Sequence, residues 1–338
     1  MGIFHRLHTL GKKLKTTFFL LLPLMIVGLY FSTPLASADD AAPTPKPAEP
    51  SAENPREAAK EVVVTGQPFR EEQLIGDYAQ PRWTAARRFP STAVYVLPKG
   101  AVDIEFWNDW TIDMSRRGAA DMKWQYEFTM GLGHRLQLDV YLATEKIGWE
   151  GPIDLTEEKI EMRYAFADWG KVWGNPTIYE EWATTSKGPL EPESKLPRDT
   201  LLRVRKQDLS DGSPELESKL LLSGQITHQW YCASNLILEH KFSNPGTEQE
   251  NEYTATLAFS YSVVDEVFSL ALELKGISAD ASGKRLAFDE WGAFGGPGFQ
   301  WHPVPPMHID AVAFFGPWHI EGKTLSIAEP MVIFGWEF

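Results

Sequence analysis

The chain has 338 residues, with 46 acidic against 32 basic side chains and a formal charge of −14. That balance, without clustered Lys/Arg, argues against a nucleic-acid partner. Cys232 is the single cysteine, so no intramolecular disulfide can form even in an oxidising compartment; it reads as a small, half-buried strand residue.

Residues 1–38 read as an export signal peptide. Arg6, Lys12, Lys13 and Lys15 form a basic start, "TTFFLLLPLMIVGLYF" is the apolar run, and "ASA" at Ala36–Ala38 predicts cleavage before Asp39. No cysteine follows the apolar run to carry a lipid anchor. No later stretch reaches the roughly 18 apolar residues of a spanning helix. Residues 39–60, rich in Pro, Ala and acid, read as a disordered periplasmic linker. Residues 61–100 read as a short periplasmic or plug-like segment, whose Arg82, Arg87 and Arg88 are candidates to pair with acids of the first long strand.

From 101 to 338 the pattern has period two, the mark of strands. Met122, Trp124, Tyr126, Phe128 and Met130 alternate with Asp121, Lys123, Gln125, Glu127 and Thr129. Twelve strands are predicted, near 102–115, 120–132, 135–145, 157–168, 176–185, 215–225, 229–241, 252–263, 267–275, 297–303, 307–316 and 327–338. Several exceed the five or six residues usual in soluble sheets and suit a tilted bilayer crossing. Short links alternate with long ones, although "RGAA" is short for an outer loop and "WGKVWGN" long for a periplasmic turn. Many Trp sit near strand ends, where a membrane–water boundary would hold them. The expectation is an all-β fold, a transmembrane antiparallel up-and-down β-barrel of about twelve strands in the outer membrane.

In such a barrel the polar face turns inward. The expected pore-lining charges are Asp103, Glu105, Asp109, Asp113, Lys123, Glu127, Arg135, Asp139, Glu161, Arg163, Glu273 and Lys275. They either line a narrow aqueous pore that favours cations or pair across strands and close the lumen. The first reading makes the protein a channel or facilitator for small solutes. The second makes it a non-conducting barrel with a structural or loop-mediated binding role.

Five stretches resemble three known families. The alternation Phe334, Trp336, Phe338 at the end of the last strand resembles the signal of bacterial outer-membrane barrels, which implies recognition by the barrel-assembly machinery. "YVLPKGAVDIEFW", "PELESKLLLSGQI" and "GPGFQWHPVP" are similar to segments of a channel family linked to phenol-type degradation pathways, which implies passage of small organic molecules. "EVVVTGQPF" at Glu61–Phe69 resembles the segment leading into the plug of TonB-dependent receptors, which implies a periplasmic partner at residues 61–69. The chain has no room for such a receptor's plug and larger barrel, and the same stretch also reads as a short strand docked on or inside the barrel.

Other constellations are weaker. A lipase-type site would need a Ser–His pair on the lipid side. His240 approaches this with Ser234 and Asn235, but six residues of extended chain separate Ser234 from it. His302, Met307 and His308 flank "PVPP" without a local carboxylate or thiolate, so no metal is expected. "GAFGGPG" from Gly292 reads as a loop, and loop 186–213 as a cover or binding surface. No cofactor is implied; the partners are the bilayer, the assembly machinery and a small solute.

Overall fold

The computed structural model describes residues 69–338 apart from 93, 115–119, 149–152, 186–212, 244–248, 281–289 and 321. The signal peptide, the linker, nearly all of Glu61–Phe69 and nearly all of loop 186–213 lie outside the described residues. Two short strands, β1 (Leu74–Ile75) and β2 (Gln80–Pro81), form a small hairpin between two 3-10 turns. Twelve long strands follow: β3 (Val102–Asp113), β4 (Ala120–Gly133), β5 (Leu136–Ile147), β6 (Asp154–Ala165), β7 (Thr177–Thr185), β8 (Glu215–Gln225), β9 (Trp230–Lys241), β10 (Glu250–Val264), β11 (Phe268–Asp280), β12 (Glu290–Val304), β13 (Met307–Ile320) and β14 (Lys323–Glu337). Each pairs antiparallel with its sequence neighbours, and β14 closes on β3. The all-β, closed, twelve-stranded barrel is the expected one, and every expected strand is present.

Alternation sorts the side chains. Ile104, Tyr126, Phe128, Leu142, Ile160, Leu272 and Phe334 are exposed on the outside, while Asp103, Glu105, Glu127, Asp139 and Glu161 are buried within. An apolar exterior around a charged interior inverts a soluble protein and is the surface of a membrane-spanning barrel. Closure pairs the backbone of both terminal strands, so no sheet edge meets lipid.

"GAFGGPG" is strand, not loop: it lies within β12, which starts seven residues before the expected 297. Gly292, Gly296 and Gly298 take inward positions beside the bulky, buried Phe294. A Cβ at Gly296 would overlap the carbonyl of Ala313 on β13, so only glycine permits this backbone approach. The long β6–β7 link also finds its reason. Trp169 folds back edge-on to Trp83 and Tyr95, with ring centroids 5.3 and 5.2 Å apart.

Residues 69–101 lie against the inner wall. Tyr78, Trp83, Phe89, Val94, Tyr95 and Val96 form a buried apolar cluster with the wall residues Tyr231, Ala233 and Ala258. The segment begins at the end of the barrel with the short turns, where the backbone N–H of Arg70 donates to Asp265 at 2.7 Å. It leaves at the same end, where Gly131 makes room for the backbone of Leu97 and Pro98 to pass.

Candidate functional site

The lumen divides into two halves along its axis. In the turn-side half, residues 69–101 bind the wall at widely separated strands. Arg87 donates from Nε and Nη2 to the two carboxylate oxygens of Glu105 on β3, at 2.6 and 2.7 Å, and stands 3.7 Å from Glu127 on β4. The Leu97 N–H donates to Gln137 on β5 at 2.7 Å. Ser223 on β8 donates to the Val94 carbonyl at 2.8 Å, and Asn235 on β9 donates to Thr92. Ser91 donates to Glu273 on β11, and Gln300 on β12 donates to the Arg87 carbonyl.

Only one of the three arginines behaves as expected. Arg87 meets an acid of β3, but Arg88 pairs with Glu71 of its own segment at 2.7 Å and Arg82 with Glu266 of the β10–β11 turn at 3.0 Å. The segment supplies its own counter-ion to Arg88, because Glu71 also reaches Tyr231 and Ser262 on the wall. Burial lowers the pKa of Arg87, but the charges of Glu105 and Glu127 outweigh it and hold the guanidinium above its usual range. Burial, with the charge of Asp168, pushes the Tyr95 phenol up to about 12.

In the loop-side half the wall itself is charged. Lys123 on β4 bridges Glu157 at 2.7 Å and Glu145 at 3.6 Å, and Lys159 bridges Glu157 at 3.1 Å and Glu181 at 2.9 Å. Lys275 lies against Glu329; nearer the turn side, Arg163, two residues from the end of β6, lies against Asp139 and Glu161. Asp109 and Asp113 stand inward on the loop-side part of β3. The expected wall residues therefore face inward, with one correction. Arg135 lies in the β4–β5 turn with φ of +61°, where its guanidinium donates to the Ala165 carbonyl and Asp168 rather than reaching the lumen.

The strand register creates a pattern that the sequence did not reveal. Asp139, Glu161, Glu181, Glu217, Glu239 and Glu252 stand directly opposite one another across β5 to β10. Directly opposed like charges normally destabilise a sheet. Among the described residues Arg163, Lys159, Lys219 and Lys275 stand against these six acids, so the row keeps an excess of negative charge. Asp139 lies three residues from the turn-side start of β5, whereas Glu239 and Glu252 lie two residues from the loop-side ends of β9 and β10. With strands tilted to the axis, the row climbs from the turn-side half, where Asp139 and Glu161 lie beside Glu127, to the loop mouth. Glu181, Glu217 and Glu252 escaped notice in the sequence, although the alternation Glu215, Glu217, Lys219 in "ELESKL" carried a signal for one of them.

The opposite sector is apolar. Phe294, Val312, Phe314, Ile320, Leu325 and Ile327 point inward from β12 to β14 and pack together. The Lys275 ammonium lies 5.1 Å from the ring centres of both phenylalanines.

The remaining candidates resolve by position. His240 hydrogen-bonds Asn251 at 2.8 Å and packs edge-on to Phe242, while Asn235 points inward, so the Ser–His arrangement is not assembled. His308 is buried among carboxylates: Asp310, two residues along β13, at 2.5 Å, which corrects the expectation of no local carboxylate, and Asp103 at 3.4 Å and Glu105 at 3.6 Å from β3. A cavity of about 770 Å³ opens among the short turns and is bordered by Trp83, Arg88, Asp103, His302, Glu337 and Phe338. On β14, Phe334, Trp336 and Phe338 all present exposed rings outward.

Among solved structures the chain is similar to an outer-membrane channel from Pseudomonas putida F1, at 12% identity and a TM-score of 0.48, over 72% of this chain and 98% of that one. It is similar to the NanC porin at 11% identity and 0.45, over 69% and 98%, and to the KdgM porin at 9% and 0.41, over 70% and 99%. No family model matches the sequence, and no curated protein matches it.

Proposed function

We propose that this protein is an outer-membrane channel for small cationic solutes, narrowed on the turn side by residues 69–101. The observation that carries this reading is the row from Asp139 to Glu252, six acids in direct register with four bases set against them. A purely structural wall gains nothing from opposing like charges, whereas a lumen that concentrates and passes cations does. The apolar patch around Phe294 and Phe314 faces the same space and suits the hydrocarbon part of an organic cation. Of the expected set, Asp109, Lys123 and Lys275 keep exposed surface and take the pore-lining role, whereas Asp113, Asp139, Glu161 and Arg163 are buried in the wall. Glu105, Glu127 and Glu273 instead meet the inserted segment, and Asp103 faces His308.

A second reading, a non-conducting barrel, draws on the anchoring of residues 69–101 to eight strands of the wall. Single-channel conductance of the refolded mature protein under a salt gradient separates the two. Cation-selective openings support the channel. Openings that appear only after deletion of residues 69–97 support a channel held closed by its own segment. Silence from both inserted proteins sinks the channel reading.

A further inference from the structure

A second set of buried charges lies where the barrel closes, away from the acidic row. His308 on β13 reaches across β14 towards Asp103 and Glu105 on β3. Gly335 allows this: a Cβ there would overlap the imidazole. The Nδ1 of His308 lies 2.5 Å from Asp310 Oδ2, which fixes the ring and turns Nε2 to the other two carboxylates. Those separations, 3.4 Å to Asp103 and 3.6 Å to Glu105, are long for hydrogen bonds. They match a different geometry. Bonds of about 2.1 Å to a tetrahedral zinc ion space neighbouring donors about 3.4 Å apart. One donor atom from each of Asp103, Glu105 and His308 lies within 4.8 Å of the other two.

We propose that Asp103, Glu105 and His308 bind a divalent transition-metal ion of the zinc type, with Asp310 as the outer carboxylate that orients the histidine. A carboxylate on the far nitrogen of a ligating imidazole is the usual support of such a site. Two observations independent of the triad favour a cation here. Oδ1 of Asp310 and Oε1 of Glu337 are buried with no hydrogen-bond partner among the described residues. The charges facing the site are Asp103, Glu105, Asp310 and Glu337 against Arg87, which is itself shared with Glu127. Arg87 occupies one lone pair on each Glu105 oxygen and the Trp107 indole N–H a second on Oε2, which leaves one lone pair of Oε1 for the ion. The 770 Å³ cavity borders Asp103 and His302 and gives the ion a path in from the turn side. The ion would staple β3 to β13 across β14, at the seam between the first and last strands, so the site does not depend on whether the lumen conducts.

The test is calorimetric titration of the refolded, chelator-treated mature protein with Zn2+ alone, in detergent. One saturable site is expected, with a rise in the temperature of unfolding. D103N and H308Q should weaken it at least tenfold, whereas H319Q, at a half-buried histidine near the other end of β13, should bind as the parent does. The absence of a saturable site, or unchanged affinity in both D103N and H308Q, overturns the proposal. Should those variants fail to fold, the visible spectrum of the parent with Co2+ decides. Intense bands of a four- or five-coordinate ion support the site, and the weak spectrum of hydrated Co2+ overturns it.

Discussion

The imidazole of His308 lies over Gly335, in the space that any other residue's Cβ would fill. Three strands meet at this contact: β13 supplies the histidine, β14 supplies the gap and β3 supplies the carboxylates beyond it.

Gly335→Ala should therefore destabilise the closure of the barrel. Overpacking of this kind costs about 1–3 kcal/mol, because the backbone of β14 is held by pairing on both sides. Urea unfolding followed by strand circular dichroism would read the loss. An unchanged midpoint would mean that the ring moves aside freely.

Arg87→Met should be costlier. It strips the guanidinium from Glu105 and Glu127, both buried, and breaking a buried pair from one side costs about 3–5 kcal/mol. The double variant Arg87→Met with Glu105→Gln should recover much of that loss. A double variant no better than the single one would show that the pair contributes packing rather than charge compensation.

Glu239→Gln together with Glu252→Gln thins the acidic row at the loop mouth. Cation selectivity, read as the reversal potential under a salt gradient, should fall by about half if the row sets the local potential. Stability should hold or rise, since two opposed acids are neutralised. Unchanged selectivity would remove the row from the conduction path.

Phe338→Ala should separate assembly from stability. The side chain is 70% exposed at the end of β14, so its removal should change the unfolding free energy by no more than about 0.5 kcal/mol. The amount of barrel assembled in cells should nevertheless drop several-fold, while refolding in detergent proceeds as before. Normal assembly in cells would take Phe338 out of the recognition signal.

The inside–outside assignment was legible because a strand has period two: once Phe334 and Trp336 point to lipid, Gly335 and Glu337 must point inward. The rule failed where the lumen is itself apolar. Phe294 and Phe314 point inward against the expected polarity, and the glycines of β12 that accommodate Phe294 looked like a loop. Periodicity reports which residues share a face, and packing decides what that face meets.

The candidate site was legible only in part. Glu105, Asp139 and Glu161 were expected on the inner face, and they lie there. That Asp139, Glu161, Glu181, Glu217, Glu239 and Glu252 form one row depends on the register of five strand pairs. Nothing local in a strand states its register against the next. Asp103 and Glu105 beside His308 were missed for the same reason, since Asp103 is 205 residues away in the chain, whereas Asp310, two residues away on the same strand face, was legible and overlooked.

By itself the sequence determined the twelve barrel strands and, where the inner face is polar, the side each residue takes, because these follow from local alternation and turn chemistry. The tertiary structure decided which charges meet. Ring closure brings Asp103 and Glu105 to His308, and the inserted segment brings Arg87 to Glu105. Electrostatic pairing acts through space over a few ångströms, and only the closed fold fixes those distances.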